Sequence, residues 1–254
     1  MLNRITQLPS YPRCQDLQHR QDGAQSFRLC DLIVHTYVDR LAREVPNPPK
    51  SFQGLLAIAQ PNMPGHTCLL NAAKELVDIQ QLKPSNFPVH NLCKELATTE
   101  SVVKDLGERS CVHLTCHAIQ NASDPNQSGF YLHDGRLTLS KIITHSFRHA
   151  DFAFLSACQT AKGDDTLSEE AAHLAGAMVT AGYRSVIATM WSIKDDYAPL
   201  VANEVYSRLV CGSSPDSTRA AHALHHAVKA LRDQLGESTE SSFLLWVPFI
   251  HVGV

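Results

Sequence analysis

The chain has no surplus of positive charge: over 254 residues the formal net charge is −3 and charged residues make up 19 %. That disfavours a nucleic-acid or other polyanionic partner, which calls for a basic excess. No apolar stretch approaches the ~20 residues needed to span a bilayer. Residues 1–7 lack the apolar core of a signal peptide, so no membrane association is expected. None of the eight cysteines forms a CxxC pair, the usual mark of a structural zinc site. They are scattered, several inside expected strands, as in a reduced, cytoplasmic protein rather than a disulfide framework. No internal repeat is visible. What is present is apolar mass: 44 % hydrophobic residues, enough for a sizeable core in one large α/β domain or two small ones.

Residues 1–50 read as a leader, loose over 1–27, with a segment at 29–43 that fits a strand or a helix. Pro46, Pro48 and Pro49 then break the chain. From residue 51 onward the pattern is regular enough for one domain, 51–254. Strands are expected at 54–59, 86–92, 110–116, 152–157 and 184–190. Helices are expected at 70–79, 99–106 (capped by Thr98 or Thr99), from Ser140 onward, from Ser168 to near Gly182, and at 196–209 and 217–235. The last carries an apolar face of Ala220, Ala221, Leu224, Ala227, Val228 and Leu231, and Gly236 ends it. His133, Asp134 and Gly135 sit between two short apolar runs as a hairpin turn. A final strand is expected at 246–252, with Pro248 inside it and therefore at a sheet edge. Strands alternating with helices give an α/β fold: a mainly parallel sheet covered on both faces.

Two residues stand where such a sheet places its chemistry. Cys158 follows the apolar run 151–157, and His117 ends the run 110–116. Sites in open α/β sheets form at the carboxyl ends of parallel strands. A histidine there can take a thiol proton, and the thiolate attacks a carbonyl. Cys116 is adjacent to His117 and faces the other side of the strand, and Cys111 is mid-strand. Cys14, Cys30, Cys68, Cys93 and Cys211 have no strand-end setting. His113 and His117 are too far apart along a strand to share a metal ion, so no metal is expected, and His113 reads as a packed histidine. Asp195 and Asp196 follow the strand at 184–190. Asp196 reads as a helix cap; for Asp195, capping and lining a pocket beside the nucleophile stand level.

The blocks His113-Leu-Thr-Cys-His-Ala118, Phe154-Leu-Ser-Ala-Cys-Gln-Thr-Ala161, Ala181-Gly-Tyr-Arg-Ser-Val-Ile-Ala-Thr-Met-Trp-Ser-Ile-Lys-Asp195 and Trp246-Val-Pro-Phe249 occur in the order of a CHAT domain. They resemble that family of caspase-like cysteine peptidases related to separase, over roughly 53–254. The wording is similar to versions in large fungal proteins. The resemblance implies a caspase-like three-layer sandwich with His117 as base, Cys158 as nucleophile, and the backbone N–H groups of Cys158 and Ala118 holding the oxyanion. The family usually has glycine where this chain has Ala118; a positive φ there would strain alanine. It typically carries helical repeats before the protease block. None is present here, which leaves open a fragment, a short gene product and a stand-alone relative. Asp195 matches in position an acidic residue of separase, which prefers a basic residue before the cut.

The expectation is therefore a cytoplasmic cysteine endopeptidase, free of cofactors, that cleaves a protein substrate after a basic residue and answers to regulatory protein partners. The rival is a catalytically silent caspase-like domain that binds partners within a signalling assembly.

Overall fold

Strands β1 (Leu55–Gln60), β3 (Cys111–Ile119), β6 (Phe152–Leu155) and β8 (Ser185–Thr189) are mostly apolar and almost wholly buried, because both faces of each are covered. They lie side by side and mutually parallel, as expected from the strand–helix alternation. β2 (Val89–Cys93) adds a parallel strand outside β1, and β9 (Phe249–Gly253) an antiparallel one outside β8. The order is β2-β1-β3-β6-β8-β9. The structure is a computed structural model and describes residues 49, 51–66, 68–82, 87–119, 121, 124–156, 158–159, 171–191, 193, 196–210, 214–236 and 240–253. The expected leader, Pro49 apart, and the Ser168 cap lie outside the described residues.

Alternation along each strand sorts the core into two layers. Leu56, Ile58, Val112, Leu114, Ala153, Leu155 and Val186 meet α2 (Thr99–Glu108), α3 (Leu139–Ile143) and α4 (Ala171–Thr180). On the other face Leu55, Phe152, Phe154 and Ile187 meet α1 (Ala72–Leu82), α5 (Ala198–Leu209) and α6 (Ala220–Leu235). This is the three-layer sandwich expected.

Local signals set the boundaries. Thr98 caps α2 by accepting from Ser101 N–H at 3.2 Å, with the Ser101 hydroxyl returning the bond to Thr98 N–H. Thr99, the other candidate cap, binds the Asp134 carboxylate through its N–H at 2.7 Å. Asp134 belongs to the two-residue turn between β4 (Gly129–Leu132) and β5 (Gly135–Thr138), so α2 anchors this hairpin. A Cβ on Gly129 would collide with the Leu137 carbonyl, which explains glycine there. At Gly182, φ is +117° and the chain turns from α4 into β8.

The C-terminal block departs from expectation. Trp246 ends a short helix, α7 (Glu240–Trp246), and β9 begins only after Pro248. Proline cannot donate to a ladder, so the strand starts past it; the expected edge position holds.

Leu155 is 2 % exposed and Val186 fully buried. Leu155→Ala is expected to destabilise the domain by ~2–5 kcal/mol, read as a lower midpoint in denaturant melts. His251 in β9 is 1 % exposed, with Nε2 2.7 Å from Ser185 Oγ. Burial pushes its imidazole down to about 4 from the usual 6.5. Between those values the unfolded chain takes a proton that the native state refuses, so stability falls as pH drops through that window. The expected loss is about 1.4 kcal/mol per pH unit, roughly 3 kcal/mol in all. Urea unfolding at pH 7.5 and pH 5 should show this slope in the wild type and a flatter one in His251→Gln.

Candidate active site

β3 does not end at residue 116. It runs to Ile119, so His117 lies inside the strand rather than past its end. The neighbours change instead. β1 pairs with β3 as far as Cys116 and β6 as far as Leu114. From His117 the ladder passes to β7 (Cys158–Gln159) on one side and from Ala118 to β4 on the other. His117 thus stands just beyond the carboxyl edge of the main sheet, on a strand extended by new partners.

β7 is parallel to β3, and His117 is the register partner of Cys158. Their backbones are one strand spacing apart, about 4.8 Å. Ala118 pairs with Gln159 and with Phe130. Its methyl is fully buried in the core, and among the described non-glycine residues only Lys94 has a positive φ. Alanine therefore meets no left-handed strain at position 118. Asp195 lies outside the described residues.

Asp196 does not cap α5. The N-cap is Tyr197, without a side-chain cap bond, and Pro199 occupies the first turn. Asp196 Oδ1 instead accepts from Asn71 Nδ2 at 2.9 Å, joining the segment after β8 to the one before α1.

The competing thiols behave as the sequence implies. Cys116 points into the core on the face opposite His117. Cys111 is fully buried; burial first, and the Asp151 charge second, push its thiol well above the usual range. Burial also raises Cys93. A protonated thiol is a poor nucleophile.

Two groups of residues around His117 were not singled out from the sequence. The first is a buried polar network below it. Glu75 of α1 is 1 % exposed, and its Oε2 accepts from Thr115 Oγ1 at 3.2 Å and Ser156 Oγ at 3.1 Å. Its Oε1 is 3.2 Å from His113 Nε2, without hydrogen-bond alignment. His113 Nδ1 is 3.3 Å from the hydroxyl of Tyr206, whose pKa burial first, then the Cys111 and Glu75 charges, raise well above its usual value. His113 is thus a packed strand histidine, as read. The signal was there: Glu75 shares the helical face of Ala72, Leu76 and Ile79, where a carboxylate is out of place. The second group is aromatic. The His66 ring lies 5.1 Å from that of His117 and 5.5 Å from that of Tyr131. Its only trace in sequence is a position shortly after the end of β1.

Among the described residues no group of three or more His, Cys, Asp or Glu side chains is arranged to hold a metal ion. No described helix is long and apolar enough to cross a membrane.

The sequence pattern of the CHAT domain family matches residues 21–254. Among solved structures, the chain is similar to the Arg-specific cysteine proteinase gingipain R. The TM-score is 0.51 at 11 % identity, covering 84 % of this chain and 49 % of that one. It is also similar to a complex of the pro- and mature domains of Porphyromonas gingivalis RgpB, with a TM-score of 0.50 at 10 % identity, covering 84 % and 51 %. The chain spans about half the length of these proteinases, and at such identities the likeness shows the fold: mixed α/β, caspase-like. No curated protein matches the sequence.

Proposed function

This chain belongs to the CHAT domain family, and from that premise we propose that it is a cysteine endopeptidase working through His117 and Cys158. The observation that carries the reading is the register pairing of these two residues at the carboxyl edge of a parallel sheet. His117 takes the Cys158 proton, and the thiolate adds to the scissile carbonyl. The N–H groups of Cys158 and Ala118 hold the resulting oxyanion. As the C–N bond breaks, the imidazolium returns its proton to the leaving amine. Water, deprotonated by His117, then hydrolyses the thioester and frees the thiol. No step calls for a metal or an organic cofactor. The substrate is a protein, the setting cytoplasmic.

The cut is proposed to follow a basic residue, with Asp195 lining the pocket. A carboxylate accepts a guanidinium in two parallel hydrogen bonds, which favours Arg over Lys. Gingipain R, of the same fold, is Arg specific.

The test is labelling by an acyloxymethyl ketone peptide probe with Arg at its reactive end. Wild type should be labelled at Cys158 and Cys158→Ala should not. A folded wild type that neither takes the probe nor cuts a mixed peptide library would favour the silent interaction domain. Library profiling of Asp195→Ala should show the basic preference lost; an unchanged profile would remove Asp195 from the pocket.

A further inference from the structure

His66 lies outside the described strands and helices, yet its ring contacts two others. One is His117, centroid to centroid 5.1 Å with 31° between the planes. The second is Tyr131, at 5.5 Å and 41°. Both separations fall in the range of direct ring contact. The loop that carries His66 is itself fixed. Leu69 N–H donates to the Pro61 carbonyl at 3.0 Å and closes it, and His66 N–H donates to the Met63 carbonyl at 3.0 Å. Gly65, at φ +82°, makes the turn just before the ring. Tyr131 is fixed in its turn. Arg136 lies over its ring at 5.2 Å and donates from Nη2 to its hydroxyl at 3.3 Å, while Nη1 donates to the Gln127 carbonyl at 3.0 Å. The result is a row of four side chains, Arg136, Tyr131, His66 and His117, each braced by the one before it.

We propose that His66 is a positioning residue for His117: braced by Tyr131, its ring holds the His117 imidazole in one orientation. The consequence for catalysis rests on the peptidase reading above. A general base works only when its accepting nitrogen stays within hydrogen-bond reach of the proton it abstracts, and small misplacements are costly. A strand side chain has two torsions to control. β3 fixes the Cα–Cβ direction of His117, and the ring of His66 restricts the rest. The role needs a flat ring at position 66, not a titrating one, which separates positioning from a second proton carrier.

The experiment uses the full chain in three forms: wild type, His66→Ala and His66→Phe. The first readout is the rate of Cys158 alkylation by iodoacetamide at neutral pH, followed on the peptide containing Cys158. The second is the NMR signals of the His117 ring, identified by their loss in His117→Ala. His66→Ala should slow alkylation roughly two- to tenfold, the worth of one aromatic contact, and should broaden or double the His117 signals. His66→Phe should keep the rate within about twofold of wild type, since the ring contact is retained. Wild-type rates with His66→Ala, His117 signals that stay single and sharp in it, or a His66→Phe variant as slow as His66→Ala would each overturn the proposal. The peptidase reading fails separately, if wild-type Cys158 reacts no faster than it does in His117→Ala. The His117 signals then decide whether the clamp exists: broadened or doubled lines in His66→Ala but single sharp lines in His66→Phe support it, and a shift alone, which loss of the neighbouring ring current gives in any case, overturns it.

Discussion

Cys158→Ala is expected to abolish peptide cleavage, and His117→Ala to lower kcat/KM by ~10²–10⁴. The two losses differ because the chemistry does. Without Cys158 no acyl-enzyme can form. Without His117 the thiol remains, and at neutral pH a cysteine with an ordinary pKa is still a few per cent thiolate. What is lost is the local base and, later, the acid that protonates the leaving amine. His117→Ala should therefore regain part of its rate as the pH is raised toward the thiol's own pKa, whereas Cys158→Ala should stay dead at every pH. Cleavage of a fluorogenic peptide ending in Arg, measured across pH 6–9, separates the two. Because His117 is only 3 % exposed, a thermal melt must accompany each variant. Undiminished cleavage by folded Cys158→Ala would remove Cys158 as nucleophile.

The parallel sheet was legible because buried strands advertise themselves. All six residues of β1 are buried, and no helical period competes with so short a run. Caps and turns were legible where they are local: Thr98 three residues before Ser101, and Asp134 before Gly135. What failed depended on distant partners. β3 continues through His117 because β7 and β4 take over its ladder, and nothing in the run 110–116 reveals them. Asp196 looked like a cap, but Pro199 sets where α5 begins, and Asn71, far away in the sequence, takes the carboxylate. The apolar block 246–252 hid a change of state at Pro248, with a helix ending before it and a strand starting after it. The pairing of strand ends that brings residues 117 and 158 together followed from topology. The ring of His66 against His117 did not, because a loop contact has no period.

The largest single loss of stability is expected at Glu75, a residue that by side-chain type belongs on the surface. Its carboxylate is almost wholly shielded from water, a costly position for a charge. It is tolerable because Thr115, Ser156 and His113 surround it. Glu75→Ala removes the acceptor that the Thr115 and Ser156 hydroxyls share, while His113 keeps Thr115 Oγ1 at 3.0 Å and the Tyr206 hydroxyl at 3.3 Å. Breaking a buried charged network from one side costs about 3–5 kcal/mol, more than a neutral hydrogen bond returns. Glu75→Gln keeps the shape and one acceptor oxygen but turns the other end into a donor, so an intermediate loss is expected. Thr115 lies two residues before His117 on β3, and Ser156 two residues before Cys158. The carboxylate therefore ties together the two chain segments that carry residues 117 and 158. Guanidinium unfolding of wild type, Glu75→Ala, Ser156→Ala and the double variant measures the coupling directly. Residues sharing one network should give a double-variant loss well short of the sum of the singles. An additive result, or a Glu75→Ala midpoint equal to wild type, would show that the network does not hold β3 and the segment after β6 together, and the geometry of residues 117 and 158 would then rest on the sheet ladder alone.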